Sequence, residues 1–194
     1  IADLTMAIEL EPENAVASYY RGLAKTELND WQSAISDFSY SIKINPNYTD
    51  AYISRGLSYY QLDNYLEAIS DHTKAIALYP MDSSSYVYRG NTKTMLDDFQ
   101  GAIEDYNMAI DLEEQSYVAY QQRGIAYYLI DDFKKALADY TKAIEIKPEN
   151  AYAYALRGDV KYRLDSKMSA CIDYGIASKF GSKKASARLK EWCK

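Results

Sequence analysis

The sequence has few of the residues on which most enzyme sites depend. Its 194 residues include one histidine, His72, and two cysteines. A Ser-His-Asp or Cys-His arrangement is therefore not expected, and neither is a cluster of metal-ligating side chains. The eight glycines form no Gly-rich phosphate-binding loop. These absences predict a protein that is not an enzyme and that uses no cofactor and no metal.

Helix-breaking residues and long apolar runs are also scarce. Eight glycines and four prolines favour long helices joined by short turns. The apolar runs are only a few residues long, far shorter than a membrane span, so we predict no membrane insertion. The chain starts at Ile1 without an apolar leader, so we expect a fragment or a processed form. The sequence leaves the compartment open, with a cytoplasmic location favoured.

The net charge of −6 is unevenly distributed. It disfavours nucleic acids and anionic membranes as partners of most of the chain. Residues 179–194 carry a net charge of +5, and the remainder carries −11. We interpret the basic segment as a solvated end helix. The alternative is end-to-end self-association with the acidic residues near the start of the chain.

A 34-residue repeat runs through the chain. The dipeptide Arg-Gly recurs at this interval, at Arg21-Gly22, Arg55-Gly56, Arg89-Gly90, Arg123-Gly124 and Arg157-Gly158. An Asp followed by a ring recurs in step, at Asp37-Phe38, Asp71-His72, Asp105-Tyr106, Asp139-Tyr140 and Asp173-Tyr174. A repeat of this length is typical of stacked supersecondary units. His72 stands where the other repeats have Phe or Tyr, so we interpret it as a core residue.

Each unit has the pattern of two helices joined by a short polar break. Apolar residues recur at steps of three to five on both sides of breaks such as Asn29-Asp30 and Asp131-Asp132. Asp and Asn there are suited to cap the following helix. The glycine after each Arg lies inside a helix, where it costs about 1 kcal/mol relative to Ala. We interpret it as a site of close helix packing.

The repeat resembles the tetratricopeptide repeat family over essentially the whole chain. The matching features are the aromatic Tyr52, Tyr86, Tyr120 and Tyr154, the mid-helix Gly, the recurring alanines and the prolines Pro12, Pro46, Pro80 and Pro148. Arg stands where the family pattern has Leu before the Gly, a variant that looks like many bacterial members. The resemblance implies an all-α fold, a right-handed superhelical solenoid of antiparallel helix pairs. The predicted units are the second helix of a truncated repeat at 1–14, full repeats at 15–48, 49–82, 83–116, 117–150 and 151–184, and a C-terminal capping helix at 183–194.

The resemblance also implies a function. First helices of this family line a concave groove that binds a protein or peptide. Carried over position by position, the groove residues are Tyr19, Leu23, Ile53, Leu57, Tyr60, Val87, Asn91, Gln121, Ile125, Tyr128, Tyr152 and Tyr162. Most are apolar or aromatic, and such a face is usually covered. We therefore predict a protein–protein interaction scaffold that holds a peptide by apolar and aromatic contacts.

The family's chaperone-type carboxylate clamp is not expected, because Asn91 matches one of its positions but Val87, Gln122 and Leu156 fill others.

Three alternatives to peptide binding in this groove remain open. The groove residues could instead be covered by neighbouring helices or a terminal segment of the same chain. The protein could also be a self-assembling structural spacer, or a helper domain of a larger protein.

Two pairings are left undecided by the sequence. Each recurring Arg could pair with an Asp in its own repeat, as Arg21 with Asp37, or across the joint, as Arg21 with Asp3. Cys171 stands where other repeats have Ile, so we interpret it as a buried small hydrophobe. A disulfide with Cys193 is the less favoured alternative, because two cysteines do not make a disulfide framework.

Overall fold

The computed structural model describes residues 1–193 of the chain. This part contains twelve helices and no strand, so the predicted all-α class is confirmed. The helices are α1 Ala2–Leu10, α2 Ala15–Thr26, α3 Trp31–Ile44, α4 Thr49–Gln61, α5 Tyr65–Leu78, α6 Ser83–Met95, α7 Phe99–Leu112, α8 Tyr117–Leu129, α9 Phe133–Ile146, α10 Ala151–Arg163, α11 Lys167–Lys179 and α12 Lys183–Trp192.

The helices form two compact units. The first unit, Ile1–Leu96, contains α1, the helix pairs α2–α3 and α4–α5, and α6. In the second unit, which begins at Asp97, α7 precedes the pairs α8–α9 and α10–α11, and α12 follows them. Within each unit, every helix packs against the next one in sequence. In the first unit α4 also contacts α2 and α6, so these three helices lie side by side.

The polar breaks set where the helices begin. Each contains one residue with φ between 57° and 60°, a left-handed conformation that Asn and Asp tolerate better than most residues. These residues are Asn29, Asp63, Asp97, Asp131 and Asp165. The residue that follows each one is the N-cap of the next helix. The Asp30, Asp98 and Asp132 side chains accept a backbone N–H of the first turn, whereas Asn64 and Ser166 do not.

Four of the Arg-Gly glycines, Gly22, Gly56, Gly124 and Gly158, pack against a ring of the following helix. A Cβ on Gly22 would lie 2.5 Å from Cε1 of Phe38, and one on Gly124 would lie 2.7 Å from Cε1 of Tyr140. Gly56 has the same relation to His72. Any side chain at these positions would collide with a ring that is completely buried. The close packing predicted at these glycines is therefore confirmed.

The recurring Arg and Asp pair within a repeat, which settles one of the open alternatives. The Arg donates from Nε and Nη2 to both carboxylate oxygens over 2.7–3.0 Å. The four pairs are Arg21–Asp37, Arg55–Asp71, Arg123–Asp139 and Arg157–Asp173. Burial raises the pKa of the Asp71 and Asp139 carboxyls, and the hydrogen bonds from Arg oppose that rise.

The same Arg also reaches the preceding second helix, although not through Asp3. Its Nη1 donates to a neutral side-chain oxygen 16 residues earlier, at 2.7–3.4 Å. The acceptors are Thr5, Ser39, Thr73, Asn107 and Thr141. In the four pairs above, the guanidinium therefore joins its own helix pair to the helix before it.

The last helix is fixed to the chain by a disulfide between Cys171 and Cys193. Our interpretation of Cys171 as an unpaired buried hydrophobe is therefore wrong, and the side chain is only half-buried. Packing of α12 on α11 brings together two cysteines that are 22 residues apart in sequence. Trp192 also stacks on Tyr162, with ring centroids 4.4 Å apart.

Candidate peptide-binding surface

The predicted groove residues lie on the first helices of the helix pairs. We call these side chains on α2, α4, α6, α8 and α10 the first-helix face. Nine of the twelve are half-buried: Tyr19, Leu23, Ile53, Leu57, Tyr60, Asn91, Ile125, Tyr128 and Tyr162. Tyr152 is 50% exposed. Most of these side chains therefore retain some surface that a partner could contact.

Val87 and Gln121 do not retain such a surface. They are 7% and 8% exposed, and both occupy the fifth position of their unit. The amide oxygen of Gln121 accepts a 2.8 Å hydrogen bond from Asn150. Asn150 in turn caps α10 by accepting the backbone N–H of Ala153. Both side chains are buried, so we do not include them among the residues that could contact a partner.

The tyrosines of this face are partly covered by rings of the same chain. Tyr19 lies 4.9 Å from Tyr48 between ring centroids, and Tyr60 lies 5.6 Å from Tyr65. Tyr128 has a similar contact with Phe133. At the end of the second unit, α12 places Trp192 on Tyr162, and Arg188 pairs with Asp159. The alternative in which a terminal segment covers the face therefore applies at Tyr162.

Two adjacent pockets open on the first-helix face of the first unit. The larger has a volume of about 220 Å³ and is lined by Leu23, Thr26, Trp31, Ser54, Leu57, Ser58 and Gln61. The smaller has a volume of about 80 Å³ and is lined by Leu57, Tyr60, His72, Tyr88, Asn91 and Thr92. Leu57 separates them and contributes to both. We call them the Trp31 pocket and the His72 pocket.

Sequence reasoning identified only part of this lining. Leu23, Leu57, Tyr60 and Asn91 belong to the predicted set, but Trp31 and His72 do not. Both lie on second helices, and their side chains reach the space between neighbouring first helices. The groove positions of the family include only first helices and so do not identify them. The one signal in the sequence was that His72 replaces the Phe or Tyr found at this position in the other repeats.

His72 is neutral at pH 7 and has no hydrogen-bond partner in the described chain. Its side chain is completely buried, and neither Nδ1 nor Nε2 has a protein partner among residues 1–193. Burial, with a smaller contribution from the charge of Arg89, lowers the pKa of the imidazole to about 4. A neutral imidazole offers one N–H donor and one acceptor nitrogen. The ring borders the His72 pocket, so these unsatisfied nitrogens lie beside that pocket.

Residues 1–193 contain no group of three or more His, Cys, Asp or Glu side chains placed to hold a metal ion. In the same range, each helix is too short or too polar to cross a membrane.

Stacked helix pairs with a partly apolar first-helix face define the class of helical-repeat interaction scaffolds. The tetratricopeptide repeat family model matches residues 49–80 and 117–150. Residues 49–80 and 117–150 are therefore tetratricopeptide repeats, and a fold of such repeats is typical of scaffolds that bind proteins or peptides. No curated protein sequence matches it significantly.

Solved structures of tetratricopeptide repeat proteins share the fold. The crystal structure of MamA is 27% identical, with a TM-score of 0.76, and the match covers 85% of this chain and 96% of MamA. A tetratricopeptide repeat protein from Parabacteroides merdae is 24% identical, with a TM-score of 0.72, over 98% of this chain and 75% of that one. YrrB, described as having an unusual peptide-binding site, is 19% identical, with a TM-score of 0.74, over 97% of each chain. At the two lower identities the likeness shows the fold alone.

Proposed function

We propose that the chain binds a peptide segment of a partner protein on the first-helix face of its first unit. The observation that carries the proposal is the pair of adjacent pockets that share Leu57. A segment lying across Leu57 could place one side chain in each pocket. Pockets with an apolar wall and a few polar groups are typical of sites that fix an anchor residue.

The first unit is a better candidate than the second. In the second unit, Gln121 is buried and accepts a hydrogen bond from Asn150, and Trp192 stacks on Tyr162. In the first unit, by contrast, Leu23, Leu57 and Tyr60 line open pockets. The Trp31 pocket is lined by Trp31, Leu23 and Leu57 on its apolar side, so its occupant should be an apolar side chain.

A peptide selection tests this proposal. Random dodecapeptides displayed on phage are selected on the full chain, and the dissociation constants of the selected peptides are measured by calorimetry. We expect Leu57→Arg to weaken binding at least about tenfold, because Leu57 forms a wall of both pockets and the arginine is larger and charged. Gln61→Arg, at an exposed residue that lines the Trp31 pocket, tests the same site with less risk to folding.

The matched control is Leu66→Arg, because Leu66 is 72% exposed on the second helix α5. We expect this variant to bind the selected peptides like the wild type. Circular dichroism and thermal unfolding show whether each variant is folded. Equal binding by folded Leu57→Arg, Gln61→Arg and wild-type proteins would contradict the proposed site.

A second candidate function is self-association through α1. This helix has no buried residue, and Met6 and Leu10 are 62% and 77% exposed. An exposed apolar helix face of this kind favours contact with another copy. Light scattering over a concentration series tests it: association should be lost in Leu10→Lys if α1 is the interface.

A further inference from the structure

The His72 pocket lies beside an imidazole at a position where the other repeats have a six-membered ring. The equivalent residues in other repeats are Phe38, Tyr106, Tyr140 and Tyr174. Gly56 approaches the His72 ring as Gly22 approaches Phe38, so the position of the ring is the same. Imidazole is shorter than phenol by the para carbon and its hydroxyl. The pocket of about 80 Å³ lies next to this shorter ring.

The ring brings polar groups with it that the interior does not satisfy. Both nitrogens of His72 are buried and lack a protein hydrogen-bond partner, although most buried polar groups in proteins have one. An unsatisfied buried group of this kind costs about 1–3 kcal/mol. A ligand in the pocket that bonds to one of the two nitrogens would recover part of this cost. Phenylalanine at the same position would carry no such cost, as Phe38 shows.

We propose that the His72 pocket is a specificity subsite that accepts a short, neutral, hydrogen-bonding side chain of the bound peptide, that of Ser, Thr or Asn. The inference rests on the proposed function, because it assigns the chemistry of one of the two pockets in the peptide site. The hydroxyl or carboxamide would bond to the imidazole. The neighbouring side chain of the same peptide would fill the Trp31 pocket across Leu57.

Size and charge restrict the occupant to this class. The pocket is smaller than the Trp31 pocket, and its walls include Leu57, Tyr60 and Tyr88, which favours a short side chain. A hydroxyl or a carboxamide can either donate or accept, so it suits either nitrogen of the neutral ring. An ammonium group would be repelled by Arg89, whose charge acts on His72. A carboxylate would lose its hydration for a single donor.

The closing experiment uses the dodecapeptides selected above and a His72→Phe variant. Phe is the native residue at the equivalent position 38, so the variant should fold and should fill the pocket. We expect the selected peptides to share Ser, Thr or Asn at one position close to an apolar residue. Replacing that residue by Ala should weaken binding to the wild type about tenfold, the effect of one well-placed hydrogen bond. The same replacement should have little effect on binding to His72→Phe.

A second readout uses the single histidine of the chain. In protein labelled with ¹⁵N at histidine, the spectrum contains imidazole signals only from His72. We expect a selected peptide to shift the signal of the nitrogen that it contacts, and its Ala variant to leave that signal in place. This readout reports the hydrogen bond directly and does not depend on total affinity.

The outcomes separate this inference from the proposed function. Peptides that bind on the Leu57 face with no preference for Ser, Thr or Asn would overturn the subsite and leave the peptide site standing. The subsite is also overturned if the Ala replacement weakens binding equally in wild type and His72→Phe, or if a bound water holds the imidazole in every complex. If selection yields no peptide, or only peptides insensitive to Leu57→Arg and Gln61→Arg, both proposals fail. Binding confined to a second copy of the chain would also overturn both.

Discussion

At the scale of single residues, the surroundings of a glycine decide what its substitution would do. Gly124 and Gly175 both lie inside helices. A Cβ on Gly124 would lie 2.7 Å from a carbon of the buried Tyr140 ring, whereas one on Gly175 would meet nothing within 4 Å. Their sequence positions distinguish them only because Gly124 belongs to the repeated Arg-Gly dipeptide and Gly175 does not.

We predict opposite effects of Ala at these two glycines. At Gly175 the change should raise the free energy of unfolding by about 1 kcal/mol, because Ala favours the helix and nothing obstructs it. At Gly124 the same gain should be outweighed by overpacking against Tyr140, which costs about 1–3 kcal/mol. Urea unfolding followed by circular dichroism measures both. A rise in stability in both variants would show that the Tyr140 ring can shift to accommodate the added methyl group.

His72 gives a second residue-scale prediction, a dependence of stability on pH. The pKa is about 4 in the folded protein, compared with 6.5 for the free side chain. Above pH 6.5 the residue is neutral in both states and contributes no pH dependence. As pH falls from 6.5 to 4, only the unfolded state takes up a proton, so the free energy of unfolding falls, by about 3 kcal/mol in total.

Carboxylates titrate in the same range, so the wild type must be compared with His72→Phe. We expect the stability difference between the two proteins to grow in favour of the variant as the pH falls from 7 to 5. Urea unfolding at several pH values measures it. A constant difference would mean that the imidazole is not held neutral in the folded protein.

At the scale of helices, the residues near each helix start determine its cap, whereas the attachment of α12 depends on tertiary packing. Asp82 and Asn150 accept backbone N–H groups at the starts of α6 and α10, whereas Ser116 at the start of α8 makes no such bond. The disulfide from α11 to Cys193 depends on how α12 packs. Disulfides persist mainly in oxidising compartments.

We predict that removing this disulfide loosens α12. Changing both Cys171 and Cys193 to Ser should cost about 2–4 kcal/mol, because the unfolded chain is no longer constrained. Hydrogen exchange should accelerate in α12 and remain unchanged in α1–α5. Alkylation of the denatured, unreduced wild-type protein should label neither cysteine. Labelling of both would show that the bond is absent.

At the scale of the whole molecule, the Arg–Asp pair is the feature that recurs through successive repeats. In four repeats the guanidinium holds the carboxylate of its own repeat and an oxygen of the preceding second helix, as Arg123 does with Asp139 and Asn107. The Asp139 side chain is 7% exposed and that of Arg123 is 18% exposed. The pair therefore lies in a largely desolvated environment.

We predict that breaking this pair from one side costs more than replacing it entirely. Asp139→Leu alone should lower the free energy of unfolding by about 3–5 kcal/mol, because Arg123 is left without its counter-charge. Adding Arg123→Met should restore part of this loss, because the double variant has no uncompensated charge. A double-mutant cycle on thermal or urea unfolding measures the recovery. An additive loss in the double variant would contradict this account.

The sequence by itself determined the repeat, the all-α class, the close packing at the Arg-Gly glycines and the positions of most helix caps. These properties depend on residues near one another in the chain or on a pattern copied every 34 residues, so periodicity exposes them. The sequence also placed Leu57, Tyr60 and Asn91 on the first helices.

Only the tertiary structure decided which partner each Arg takes, that Cys171 and Cys193 pair, and that Val87 and Gln121 lie inside. It also brought Trp31 and His72 from second helices into pockets next to Leu57. These features depend on distances between helices that are far apart in sequence. A repeat shows which positions are equivalent, but it does not show which neighbour fills the space that a smaller ring leaves open.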